Sequence, residues 1–166
     1  NVEREFSAAE VLWLILSSGI IRANQGKGMR CPAVCFTEKP LAGLKDTLVG
    51  HEASTRRGKA LTWAPYGVMF EKDYARDRGA RPVISCDSST ETCLPNKDKY
   101  LVVPLTSKSN WTHEREWRVS GDFQFDIEEA IVLVATFDQA AAFESALRTA
   151  NLRVKGILPL YDLFAL

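Results

Sequence analysis

The chain has 166 residues, 46% of them hydrophobic and 25% charged. That length suits one domain with a full hydrophobic core, and that composition an ordinary soluble globular protein. The 21 Lys and Arg match the 21 Asp and Glu, so no global charge draws the chain to nucleic acid or to an anionic membrane. Locally, Arg56, Arg57 and Lys59 form a basic cluster, read as a solvated loop or a phosphate clamp.

In chain order, Ser7 caps a helix over residues 7–18, with Glu10 at capping-box spacing. Val11, Leu12, Ile15 and Leu16 give that helix an apolar face, and Gly19 stops it. Ile20-Ile21 starts a short extended piece, and Asn24 to Arg30 is a loop. Ala33 to Thr37 reads as a strand, ended by Glu38-Lys39-Pro40. Residues 41–49 suit a short helix, and Gly50 to Lys59 a mobile polar loop.

Tyr66 to Phe70 is a second strand. Lys72 to Arg78 is a charged turn or one helical turn, closed by Gly79. Arg81 to Ser85 is a third strand, with Pro82 favouring its start or an edge. Asp87 to Lys99 is loop-like, and Tyr100 to Pro104 is a strand or short helix. Glu116 to Ser120 is a strand, followed by a turn at Gly121-Asp122. Ile131 to Thr136 is a buried strand. Residues 138–150 form a helix capped by Asp138, and Val154 to Leu158 the last strand. The sum is a mixed α+β fold with mostly antiparallel sheets and flanking helices, in a single domain over residues 1–166.

No apolar run reaches membrane-spanning length, and no secretory signal opens the chain. A cytoplasmic location is expected. Cys31, Cys35, Cys86 and Cys93 match no common zinc spacing, so they read as reduced, mostly buried thiols and no metal site is assigned. Gly26 and Gly28 do not fit a strand–loop–helix phosphate motif.

The segment Trp111 to Val119 concentrates charge between two tryptophans. On a strand, Glu114, Glu116 and Arg118 share one face, and Arg115, Trp117 and Val119 the other. Trp117 and Val119 would anchor the core while the carboxylates line a surface or cleft. Paired carboxylates suit stabilisation of a sugar oxocarbenium ion, which cleavage of a nicotinamide–ribose bond also creates. The plainer alternative is an exposed strand of Glu–Arg pairs. As a metal site the pair is poor, because the arginine competes with the ion. Arg22 could fork a pyrophosphate or lie on the surface. Tyr66 could stack on a nicotinamide or adenine ring or belong to the core. Trp63 and Trp111 are further stacking candidates, and His113 is a turn residue or a proton shuttle. His51 falls in the polar loop.

Three segments, Cys31 to Leu41, Ala64 to Lys72 with Gly79 to Ile84, and Trp111 to Val119, resemble the bacterial abortive-infection family AbiGi in order and spacing. That family carries a "VCFTE-PL" strand, a "YG(I/V)-F-K" strand, an "RPV" strand and a "W-EREWR" strand. More distantly the layout looks like the ADP-ribosyltransferase fold of the DarT DNA-modifying toxins. The resemblance implies an anti-phage or toxin–antitoxin protein that cleaves NAD as substrate. ADP-ribose would then pass to a macromolecular acceptor, nucleic acid or protein. It implies Glu116 as the catalytic glutamate, Glu114 as the acceptor-side residue, and Phe36 and Thr37 beside the nicotinamide or its ribose. It equally allows a non-catalytic antitoxin or regulator on the same fold, held by a cognate protein. Relatives begin with a strand resembling "VHFTR". Here only Asn1 to Phe6 precede the first helix. Either that strand lies upstream of a fragment or processed chain, or the dinucleotide is not bound in the usual way.

Overall fold

The computed structural model describes residues 6–26, 29–55, 64–105 and 114–165. Their helices are α1 (Ala8–Ser18), α2 (Leu41–Thr55), α3 (Lys72–Asp77), α4 (Ser88–Thr92), α5 (Phe137–Thr149) and α6 (Leu160–Phe164). The strands are β1 (Ile20–Ile21), β2 (Ala33–Thr37), β3 (Gly67–Met69), β4 (Arg81–Pro82), β5 (Ile84–Cys86), β6 (Val102–Pro104), β7 (Glu116–Ser120), β8 (Phe123–Gln124), β9 (Ile131–Val134) and β10 (Gly156–Pro159). This is a mixed α+β architecture with mostly antiparallel pairing. The elements fall into two compact units. One comprises Asn1–Gly19, Pro40–Glu71 and Phe125–Leu166, the other Ile20–Lys39 and Lys72–Gln124. Among the described residues, no helix is long and apolar enough to cross a membrane.

The first unit is organised by α1, α5 and the sheet β10-β9-β3. The Ser7 hydroxyl accepts from the Glu10 N–H at 3.3 Å, and the Glu10 carboxylate accepts from the Ser7 N–H at 2.8 Å. Two otherwise orphaned donors are thereby satisfied. Gly19 ends the helix at φ 65°, and a Cβ there would lie 3.0 Å from the Phe125 carbonyl oxygen. Leu12 and Leu16, one turn apart, pack with Val132, Val134 and Leu147 into the core. Val132 and Val134 are fully buried because alternate residues of a central strand face the same side. β9 and β10 are parallel, and α5 supplies the crossover that parallel strands require.

The second unit holds the antiparallel sheet β2-β7-β4, the antiparallel pair β1-β8 and the parallel pair β5-β6. Ala33, Val34, Val119 and Phe123 are buried there, as are Cys86, Leu101, Val102 and Val103.

Several sequence expectations are corrected. Gly50 to Thr55 continue α2 rather than starting a loop, which also places His51 on a helix. The expected third strand divides at Val83, as β4 pairs with β7 and β5 with β6. Pro82 does lie on an edge, since β4 is the outer strand of its sheet. Part of the expected Asp87–Lys99 loop is α4, whose first turn is capped by the Asp87 carboxylate accepting from the Thr90 N–H at 2.8 Å. A 3-10 helix follows at Asn96–Leu101. Thr136, not Asp138, caps α5. The last strand starts at Gly156, and Lys155 ahead of it is tied through its N–H to the Ala130 carbonyl. Of the four cysteines only Cys86 is buried; Cys35 and Cys93 are exposed.

Candidate functional site

β2 and β7 carry three of the predicted site residues, Phe36, Thr37 and Glu116. Their register sets Thr37 opposite Glu116, Phe36 opposite Trp117 and Cys35 opposite Arg118. Directly opposed residues share a face, so Thr37, Cys35, Glu116 and Arg118 lie on one side. Phe36, Val34, Trp117 and Val119 lie on the other.

The Glu116–Arg118 pair dominates the first face. Arg118 Nε donates to Glu116 Oε1 at 2.7 Å and Nη2 to Oε2 at 3.3 Å. The remaining Nη1 donates to the Tyr100 carbonyl at 2.8 Å and the Val102 carbonyl at 3.1 Å. Only 8% of the Arg118 side chain and 21% of the Glu116 side chain are exposed. At Arg118 this face therefore lies under the 3-10 helix and the start of β6, and Glu116 is not the open carboxylate that alternation alone suggested. The Cys35 sulfur also sits here. Partial burial pushes its thiol up to about 11, with a further push from the Glu116 carboxylate as its hydrogen-bond acceptor. Cys35 as a residue remains exposed, so the shift reflects the sulfur's immediate surroundings.

Glu114 lies one residue before a backbone kink, since Arg115 adopts φ 48°, the left-handed region that non-glycine residues rarely enter. The Thr37 hydroxyl donates to the Glu114 carbonyl at 2.7 Å, and the Glu114 carboxylate meets Lys39 at 3.0 Å. The kinked Arg115 carbonyl accepts from the Glu38 N–H at 3.0 Å. The end of β2 and the start of β7 are thus fastened through backbone and side chains together.

On the opposite face, Glu38 gathers three donors. Lys72 lies 2.8 Å away, Trp117 Nε1 donates at 2.8 Å, and Arg115 Nη2 lies at 3.3 Å. The Lys72 and Trp117 hydrogen bonds hold the Glu38 carboxyl below the usual range. Lys72 also stands 4.8 Å over the Trp117 ring. Trp117 is accordingly half-buried and lidded by a cation rather than a core anchor; Val119 is buried as expected. The sequence offered no sign of the role of Glu38, since only the register brings it against Trp117.

Phe36 packs edge-on against Phe123 with centroids 5.0 Å apart. It shares the Trp117 face, so alternation separates it from Glu116. Arg22 pairs with Asp122 at 2.6 Å, and the Asp122 carboxylate also caps the Ala23 N–H at 2.8 Å. Tyr66 belongs to the other unit, where it packs against the Leu12–Val132 core. Among the described residues, no three His, Cys, Asp or Glu are placed to hold a metal ion. Trp63, Trp111, His113, Arg56, Arg57 and Lys59 lie outside the described residues.

The class defined by fold and site is a mixed α+β protein with a part-buried Glu–Arg pair on the central strand of one sheet. No family model, curated protein or solved structure matches the chain.

Proposed function

We propose that the chain is a cytoplasmic, non-catalytic antitoxin or regulatory module of bacterial anti-phage type, built on an ADP-ribosyltransferase-like sheet and acting through a cognate protein partner. The Arg118 fork on Glu116 is the observation that carries this. A glutamate that stabilises an oxocarbenium ion must present its carboxylate to the sugar. Here both carboxylate oxygens are engaged, and the guanidinium is itself held by two carbonyls. Displacing Arg118 with a substrate would strand a buried charge, at a cost of about 3–5 kcal/mol. Arg22 and Thr37 also have internal partners. The exposed apolar side chains Phe6, Val11, Leu14, Leu41, Phe137 and Leu163 all lie in the first unit and favour a protein contact there.

A second reading is favoured by one specific feature. Thr37 faces Glu116 across the β2–β7 ladder, the juxtaposition an NAD-cleaving ADP-ribosyltransferase would use. The purified chain incubated with NAD distinguishes the two. The expected result is no nicotinamide release and no labelled ADP-ribose on lysate nucleic acid or protein. NAD loss that Glu116→Gln abolishes at unchanged melting temperature would overturn the non-catalytic assignment.

A further inference from the structure

The balanced charge of the whole chain conceals a division. The unit of residues 20–39 and 72–124 holds thirteen Lys and Arg against nine Asp and Glu; the rest of the chain holds eight against twelve. Net charges of +4 and −4 therefore cancel in the total.

Within the basic unit, five exposed cations group on α3, the start of β4 and the entry to β7. They are Lys72, Arg76, Arg78, Arg81 and Arg115. Lys72 and Arg115 reach the same Glu38 oxygen, at 2.8 and 3.3 Å, so their nitrogens are no more than about 6 Å apart. Lys72 and Arg76 are one helical turn apart on α3, hence neighbours on its surface. Arg81 stands opposite Arg118 in the β4–β7 ladder and so leaves the strand on the side away from Trp117, but its Nη1 turns back to α3, donating to the Arg76 carbonyl at 2.6 Å and to the Ala80 carbonyl at 2.7 Å. It has no carboxylate partner among the described residues. The Arg78 guanidinium stacks 3.7 Å above the Tyr74 ring. Three carboxylates, Glu38, Asp73 and Asp77, offset this group only in part, and the pairs of Arg76 with Asp73 and Asp77 are solvent-exposed and weak.

We propose that this strip binds the phosphodiester backbone of a nucleic acid. Four of its five cations are arginines, whose planar fork matches phosphate oxygens in pairs. Two of the cations are stacked on aromatic rings, which limits the side-chain freedom lost on binding. A protein partner fits this surface poorly. Protein interfaces depend on apolar anchors, and the only exposed large hydrophobic among this unit's described residues is Leu105. The proposal is independent of what Glu116 does, because none of the five cations touches that carboxylate.

The test is fluorescence anisotropy with a labelled single-stranded DNA of about twenty nucleotides, with matched RNA and duplex as parallel arms. Saturable binding at about 50 mM salt should weaken roughly 20- to 50-fold at about 200 mM if three or four phosphates are engaged. Each lost contact removes about 0.7 from the slope of log affinity on log salt, so Arg78→Gln with Arg81→Gln should flatten it by about 1.4. Arg115→Gln should flatten it by about half as much. Arg148→Gln with Arg153→Gln, in the acidic unit, should leave it unchanged. No binding at the lower salt, equal slopes for all variants, or equal competition by polyglutamate would each overturn the proposal.

Discussion

Replacing Arg118 with methionine removes a guanidinium that makes four hydrogen bonds in a nearly closed environment. Methionine keeps much of the aliphatic volume, so the loss is mainly polar. Two backbone carbonyls lose a donor, and an unsatisfied buried acceptor costs about 1–3 kcal/mol. Glu116 loses its counter-ion, and breaking a buried pair costs about 3–5 kcal/mol. With 21% of its side chain exposed, Glu116 can recruit some water. The net loss should therefore lie near the lower bound, about 3 kcal/mol. Urea unfolding of wild type, Arg118→Met, Glu116→Met and the double variant gives the coupling directly. The double variant should be more stable than the sum of the single losses predicts, by about 2 kcal/mol, since neither charge is then stranded. Arg118→Met within about 1 kcal/mol of wild type, or strictly additive losses, would refute the assignment of this pair as a buried structural fork.

Other expectations concern single positions. Tyr66→Ala should cost about 2 kcal/mol in the same unfolding assay while Tyr66→Phe costs under about 0.5 kcal/mol, as befits a part-buried ring packed against the core; a neutral Ala variant would return Tyr66 to the ligand-contact candidates. Cys35 alkylation followed by mass spectrometry should show a midpoint near 11, and Glu116→Gln should lower it by removing the carboxylate that favours the protonated thiol. A midpoint equal to that in urea would contradict the shared environment. Asp87, held down to about 2 by its hydrogen bonds to Thr90 and Ser89, stabilises the fold above its ordinary 3.8. That contribution fades as pH falls from 3.8 towards 2. Asn caps helices as well as Asp, so Asp87→Asn should change little at neutral pH yet flatten the stability loss over that acid window. Gly19→Ala should destabilise by about 1 kcal/mol or more, because it meets both a left-handed backbone and the Phe125 carbonyl.

The parts of the fold written in local chemistry were legible. Ser7, Glu10 and Gly19 bound α1 through contacts within a few residues, and β9–α5–β10 announced itself through an apolar run, an alanine-rich helix and a second run. Two further caps also have local signals. Thr136 and Gln139 have capping-box spacing, and Asp87 stands ahead of Ser88-Ser89-Thr90 as an N-cap. Residues 50–55 of α2 offered no apolar stripe, so periodicity could not extend that helix. The site was legible as composition but not as geometry. Alternation correctly put Glu116 with Arg118, yet which face is covered depends on Tyr100 and Val102, residues with no local link to β7. The positive φ of Arg115 and the convergence of Lys72, Arg115 and Trp117 on Glu38 arise from register across the sheet.

The engagement of Glu116 by Arg118 can be observed without any assay of activity. In protein labelled for NMR, the Arg118 Nε–H and the Glu116 side-chain carboxyl carbon report the fork directly while NAD is added in large excess. The fork predicts a slowly exchanging Arg118 Nε–H and no movement of either resonance at any NAD concentration. Saturable movement of both resonances on adding NAD would contradict it and place the dinucleotide at Glu116.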